Sequence, residues 1–334
     1  MQATMFRTAT RQGSARWPWL VALAVTAFSF EQAAAAEPSV APPVTALAIA
    51  PDGKSLLAGS QAGLRRVSWP ELKPLGTLKT ALLHVHALAF SPRGDLLAVA
   101  GGAPAEAGMV EVFSWPEGKH QYRVQPQADL IYTVAWSPDG RRLATASYDH
   151  TVNVLEASTG KRLLKLEGHS RGVLAVGYLP DGKTLVSAGA DNSLRVWDAE
   201  TGRAVRTLDN HTAAVHDLAV RPAQPADAPP LVASVSDDRT VRLWQPSIGR
   251  MVRFARLASA PVAVAWLADG RRLAVACIDG HLRAIDADTL EVVADVPAID
   301  GRAHTLAAGP ADRGPLAVGG AAGQLKLVEV LPSK

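Results

Sequence analysis

Cysteine is nearly absent from the 334-residue chain: Cys277 is the single one, so no intramolecular disulfide can form and stability has to come from packing. The apolar run that holds this thiol, Leu273-Ala274-Val275-Ala276-Cys277, fits a buried, inert side chain rather than a nucleophile. No Cys-x-x-Cys-His occurs, which excludes a self-attached c-type haem. Aromatic residues make up only 5% of the chain and charged residues 19%. Cations are not gathered in blocks: Arg65-Arg66, Arg141-Arg142 and Arg271-Arg272 are isolated pairs beside turns and read as solvated surface. Nucleic acid is held by clustered cations that displace counterions, so it is not an expected partner.

What is present is 48% hydrophobic residues with 27 Gly and 23 Pro, the composition of a turn-rich globular protein with a sizeable core. The first 36 residues stand apart. Arg7, Arg11 and Arg16 precede an apolar stretch from Leu20 to Phe30, and Ala34-Ala35-Ala36 follows before Glu37-Pro38. This is the order of a secretory signal peptide, with cleavage expected after Ala36. The apolar stretch is well short of the roughly 20 residues of a spanning helix, so no membrane insertion is expected after cleavage. No Arg-Arg pair marks a twin-arginine route. The segment carries three Arg against one Glu, so its removal takes the formal charge from +3 to +1. The expectation is an exported, periplasmic protein.

After Pro43 one pattern recurs: an apolar run, a Pro-Asp-Gly type turn, a second apolar run, a polar turn, a third run and a Thr-Gly turn. Pro51, Pro92, Pro138, Pro180, Pro222, Ala268 and Pro310 mark equivalent sites, spaced by 41, 46, 42, 42, 46 and 42 residues. That is the period of a four-stranded propeller blade, and it predicts seven. Four residues before each marker stand Leu47, Leu88, Val134, Val176, Leu218, Val264 and Leu306. Small residues such as Ala46, Ala87, Ala175 and Ala263 lie beside them, so the first strand of each unit reads as buried on both faces. The spacing therefore predicts an all-β, seven-bladed β-propeller of four-stranded antiparallel blades over residues 44–334, following a signal peptide at 1–36 and a short segment at 37–43. The last unit ends without an outer strand of its own, and Pro38, Pro42 and Pro43 make 37–43 a poor closing strand. An imperfect closure, or an open edge on the seventh blade, is expected.

In the fourth unit Gly168-His169 leads to Ser187, Asp191 and Trp197, and in the fifth His211 leads to Ser234, Asp238 and Trp244 with the same steps from Ser to Asp and from Asp to Trp. At these residues the chain resembles the WD-repeat family of β-propellers. The resemblance implies that His169, Ser187, Asp191 and Trp197, and likewise His211, Ser234, Asp238 and Trp244, form a buried hydrogen-bond chain within one blade. A His, an acid and a Ser also suggest a catalytic triad, but two copies, each ending on Trp, fit structure better, and no catalytic residue is assigned. The third unit keeps Thr145 and Asp149 but has Leu155 at the Trp site; the sixth keeps Asp279 with Val275 and Ile285; the first, second and seventh lack the set.

His86, His216 and His304 share one blade position, six before the marker, where Thr45, Tyr132, Leu174 and Val262 stand in the other units. Blades two, five and seven are spread nearly evenly round a ring, so these imidazoles are candidates for the mouth of the central channel, as binding residues or as metal or haem ligands. No carboxylate or Cys accompanies them in a ligand spacing, and no cofactor or metal is assigned. Two insertions, Gly101 to Gly108 and Ala223 to Pro230, are candidate partner contacts. The resemblance implies a non-catalytic scaffold that binds a protein partner; a metal- or haem-associated redox accessory or enzyme with a site at the channel mouth is the alternative.

Overall fold

The computed structural model describes residues 41–222, 229–309 and 314–330. The expected signal peptide, residues 37–40 and most of the 223–230 insertion lie outside the described residues.

The turn chemistry sets the repeat. At Pro138-Asp139-Gly140 the Asp139 carboxylate accepts the Arg141 N–H at 3.0 Å, and Gly140 takes a φ of 72°, a conformation that costs a side-chain-bearing residue energy. Each such turn sends the chain back antiparallel, and each unit becomes one sheet whose strands pair in chain order. Blade four is typical, with Val173–Tyr178, Thr184–Gly189, Leu194–Asp198 and Ala204–Leu208 running from centre to rim. The described residues form six four-stranded sheets and one three-stranded sheet. The seventh blade has Ala303–Ala308, Leu316–Gly320 and Leu325–Val328. Residues 41–43 belong to no strand.

The innermost strands are Ala46–Ile49, His84–Phe90, Ile131–Trp136, Val173–Tyr178, Val215–Val220, Pro261–Trp266 and Ala303–Ala308. Each touches the next, and the last returns to the first, so the ring closes; the Val44 N–H also donates to Gly320 O across that seam at 3.0 Å. The inner strands have no strand partner on the channel side, and side chains of neighbouring blades bond part of that edge. Trp136 and Trp266 donate Nε1–H to Ala89 O and Ala219 O, each at 3.0 Å. Thr133 donates to Leu174 O at 2.7 Å, and Asp217 accepts the Val264 N–H at 2.9 Å.

Hydrophobic packing lies between blades. Ala144, Val152 and Leu166 of blade three pack with Val176, Leu185 and Trp197 of blade four, and the same pairing recurs between blades five and six. Fully burying such a side chain contributes on the order of 1.5–3 kcal/mol, which is how the ring holds without a disulfide. Outer strands are largely exposed, as along Val292–Pro297. In each arginine pair the first residue is exposed, as the solvated reading expects, and the second departs from it. Arg66 lies over the Trp115 ring at 4.4 Å, Arg142 donates to Ala199 O of the next blade at 2.8 Å, and Arg272 bonds Asp269 in its own turn. A guanidinium reaches across a blade seam because its long stem packs while its fork finds an acceptor.

Candidate binding site at the central cavity

Both hydrogen-bond sets form. Trp197 donates Nε1–H to Ser187 Oγ at 2.8 Å; the hydroxyl lies 2.8 Å from His169 Nε2, and His169 Nδ1 is 2.9 Å from Asp191 Oδ1. In blade five the distances are 2.8, 2.7 and 2.8 Å through Trp244, Ser234, His211 and Asp238. The chain of donors runs from indole to hydroxyl to imidazole to carboxylate, so each imidazole carries its proton on Nδ1. Burial alone would raise the Asp191 carboxyl, but the hydrogen bonds it accepts from His169 and the Ser170 N–H hold it well below the usual range. Asp238 is brought down to about 2 against the same burial by Thr240, His211 and the Thr212 N–H. Burial lowers His211 despite Asp238.

The order Ser, His, Asp is that of a catalytic triad, but Ser187 and Ser234 are both 0% exposed and each hydroxyl also accepts an indole N–H. No substrate carbonyl can reach either oxygen. Blade three carries a substitute that the sequence reading did not recognise. Gln127 stands where His169 and His211 stand, eleven residues before the marker; its Oε1 accepts from Thr145 at 2.7 Å and its Nε2 donates to Thr151 O at 2.9 Å. Blade six replaces the set with packed Leu257, Val275 and Ile285, and leaves Asp279 to bond Arg283.

The position six before the marker has a common backbone cause. In blades two to seven the pairing between first and second strands slips by one residue: Val85 pairs Gly101 and Ala87 pairs Ala100, leaving His86 unpaired. Tyr132, Leu174, His216, Val262 and His304 are left out in the same way. In blade one the Thr45 N–H bonds Gly59 O while Ala46 pairs that same Gly59. A bulge adds one residue and re-aims its side chain. Repeated at the same level of seven blades, it lines one cavity of about 360 Å³ with Thr45, His86, Tyr132, Leu174, His216, Val262 and His304.

The three histidines named from the sequence therefore share this cavity, yet among the described residues no three His, Cys, Asp or Glu come close enough to hold a metal ion. Burial, then the nearby His84, pushes His86 down to about 4; burial, then Arg302, lowers His304. Both rings are neutral at pH 7. His216 Nε2 lies 2.7 Å from Asp237 Oδ1 but is misaligned for a hydrogen bond. His86 stacks toward Tyr132 with ring centres 4.9 Å apart, and Tyr132 toward Tyr148 at 6.0 Å. Burial, then Tyr148 and Asp129, raises the Tyr132 phenol.

Arg302 and Asp217 also line the cavity, and the sequence reading singled out neither. Asp217 follows a bulged residue and could have been noticed as the one acid where the other blades have Ala or Thr. Its carboxylate accepts the Leu218 and Val264 N–H groups, and burial outweighs them to raise it to about 7. Arg302 precedes the last inner strand, and only the closed ring shows that it faces the channel. Of the insertions, the first lengthens a hairpin, Leu96–Ala103 with Ala107–Ser114, and Ala105 N–H bonds Asp129 of blade three at 2.8 Å.

A family model for "WD domain, G-beta repeat" matches residues 118–155, 160–198 and 202–245. The chain is also 31% identical over 138 residues to "WD repeat-containing protein VIP3" of Arabidopsis thaliana, an alignment covering 38% of this chain and 43% of that protein. The chain thus spans less than half the length of that relative. The matches run from the outer strand of blade two to the third strand of blade five, the stretch that holds the two complete hydrogen-bond sets. Over those residues the chain is similar to WD40 repeats, and the described residues as a whole form a seven-bladed β-propeller.

Proposed function

We propose that this protein is an exported, non-catalytic scaffold that presents the cavity-bearing face of its propeller to a protein partner. WD-repeat propellers are typically interaction platforms, and the observation that carries the reading here is the ring of seven equivalent side chains that lines one open cavity. The two arrangements with triad order are sealed in blade cores, so they support stability and not turnover. The Arg, the alanines and the apolar stretch before Glu37 support export to the periplasm.

The test is mass spectrometry of the mature protein recovered natively from its compartment, with cross-linking and metal analysis of the same sample. A chain beginning at Glu37, free of metal and cross-linked reproducibly to one protein through the cavity face, is the expected result. An amino terminus at Met1 in the cytosol would overturn export. A near-stoichiometric metal or haem would overturn the non-catalytic reading in favour of a cofactor at the channel mouth.

A further inference from the structure

The ring of bulged side chains is lopsided. Going round the channel, His304, Thr45, His86 and Tyr132 follow one another across blades seven, one, two and three, whereas Leu174 and Val262 of blades four and six face them from the other side, with His216 of blade five between them and turned to Asp237. The polar arc has one cation: Arg302, exposed at the mouth, whose guanidinium makes no hydrogen bond or ion pair among the described residues. His304 feels its charge. The Thr45 hydroxyl is engaged with Val85 O, while the His86 and His304 rings and the Tyr132 hydroxyl have no hydrogen-bond partner among the described residues.

We propose that the cavity binds an organic carboxylate with an apolar body, the carboxylate seated on Arg302 with His304 and His86 beside it and the hydrocarbon against Leu174 and Val262. One guanidinium offers two parallel N–H bonds to a planar carboxylate. Neutral imidazoles add hydrogen bonds but no charge, which suits a single negative charge better than a phosphate dianion. A volume of about 360 Å³ is that of a small-ligand pocket. Asp217, deeper in the same cavity, is satisfied by two backbone N–H groups and is partly protonated near neutral pH, so it opposes the anion only weakly. The carboxylate belongs either to a free small acid or to an acidic side chain of a bound protein; the recognition is the same, and it does not depend on the scaffold reading.

The test is a titration of the purified full chain by histidine NMR with three probes: hexanoate, hexylamine as its charge-reversed counterpart, and a short acetylated and amidated peptide with one central glutamate. Hexanoate is expected to give saturable shifts at His86 and His304, leaving the His169 and His211 signals in place as reporters of an intact fold. R302Q weakens that binding at least about tenfold, H304Q weakens it less, and R203Q, on an exposed turn away from the cavity, leaves it within about twofold. Tighter binding of the peptide than of hexanoate assigns the carboxylate to a protein partner; the reverse order assigns it to a free acid. Absence of saturable shifts with both carboxylates, equal binding in R302Q, or tighter binding of hexylamine would each overturn the proposal. A failure here leaves cross-linking to a partner unaffected, and a missing partner leaves this titration unaffected.

Discussion

Removing the Ser187 hydroxyl tests whether the blade-four hydrogen-bond set supports the fold. Ser187 Oγ accepts Trp197 Nε1–H at 2.8 Å and bonds His169 Nε2 at 2.8 Å, and all three side chains are buried. S187A leaves an indole donor and an imidazole acceptor unsatisfied, at about 1–3 kcal/mol each; relaxation makes the two less than additive, so about 2–4 kcal/mol is expected. Blade six shows the way out, since Leu257, Val275 and Ile285 pack in one cluster at the equivalent positions. An all-apolar variant, H169L/S187A/W197F, is therefore expected to cost less than the sum of its three single substitutions by at least about 1 kcal/mol. Urea unfolding followed by tryptophan fluorescence and circular dichroism measures both quantities. If S187A stays within about 0.5 kcal/mol of the wild type, or if the triple cost equals the sum, the reasoning from a coupled buried network is wrong.

Asp217 gives a pH signature of opposite sign to that of the blade-four and blade-five carboxylates. Its raised pKa means that its contribution to stability is complete below about pH 4 and is lost as pH rises through about 7, whereas Asp191 and Asp238 contribute above about pH 4 and lose that contribution toward pH 2. D217N is expected to be less stable than wild type at pH 5, because the amide replaces one of two acceptors, and to regain at most about 3 kcal/mol relative to it by pH 8; urea midpoints at both pH values check this, and a pH-independent difference refutes it. Cys277 is buried and burial pushes its thiol up to about 11, with Arg283 opposing. Ellman's reagent is therefore expected to find no reactive thiol in the folded protein and one in denaturant. At Gly101 a Cβ would sit 1.8 Å from His84 O, so G101A must displace the inner strand of blade two. A loss of about 2 kcal/mol or more is expected from thermal unfolding, with a shifted His86 NMR signal.

The sequence determined the blade number, the strand order and the buried sets, because each is local. A Pro-Asp-Gly turn fixes a reversal within four residues, alternation fixes which side chains face a neighbouring blade, and the steps from Ser187 to Asp191 to Trp197 place three partners on adjacent strands of one sheet. It also marked His86, His216 and His304 as equivalent, without giving the reason. The blade-three substitute was overlooked because Gln127 is chemically unlike the histidine it replaces, and only its bond to Thr145 reveals the role. The solvated reading fails at Arg66 and Arg142 because their partners, the Trp115 ring and Ala199 O, lie in the next blade. The cavity, by contrast, exists only once the blades are assembled into a ring. A one-residue slip in pairing is invisible in composition and period, yet repeated through blades two to seven it turns equivalent side chains toward one space. Closing the ring then brings Arg302 and His304 at the end of the chain beside Thr45 at its beginning, a proximity that depends on the total rotation of seven blades and is encoded in no single repeat.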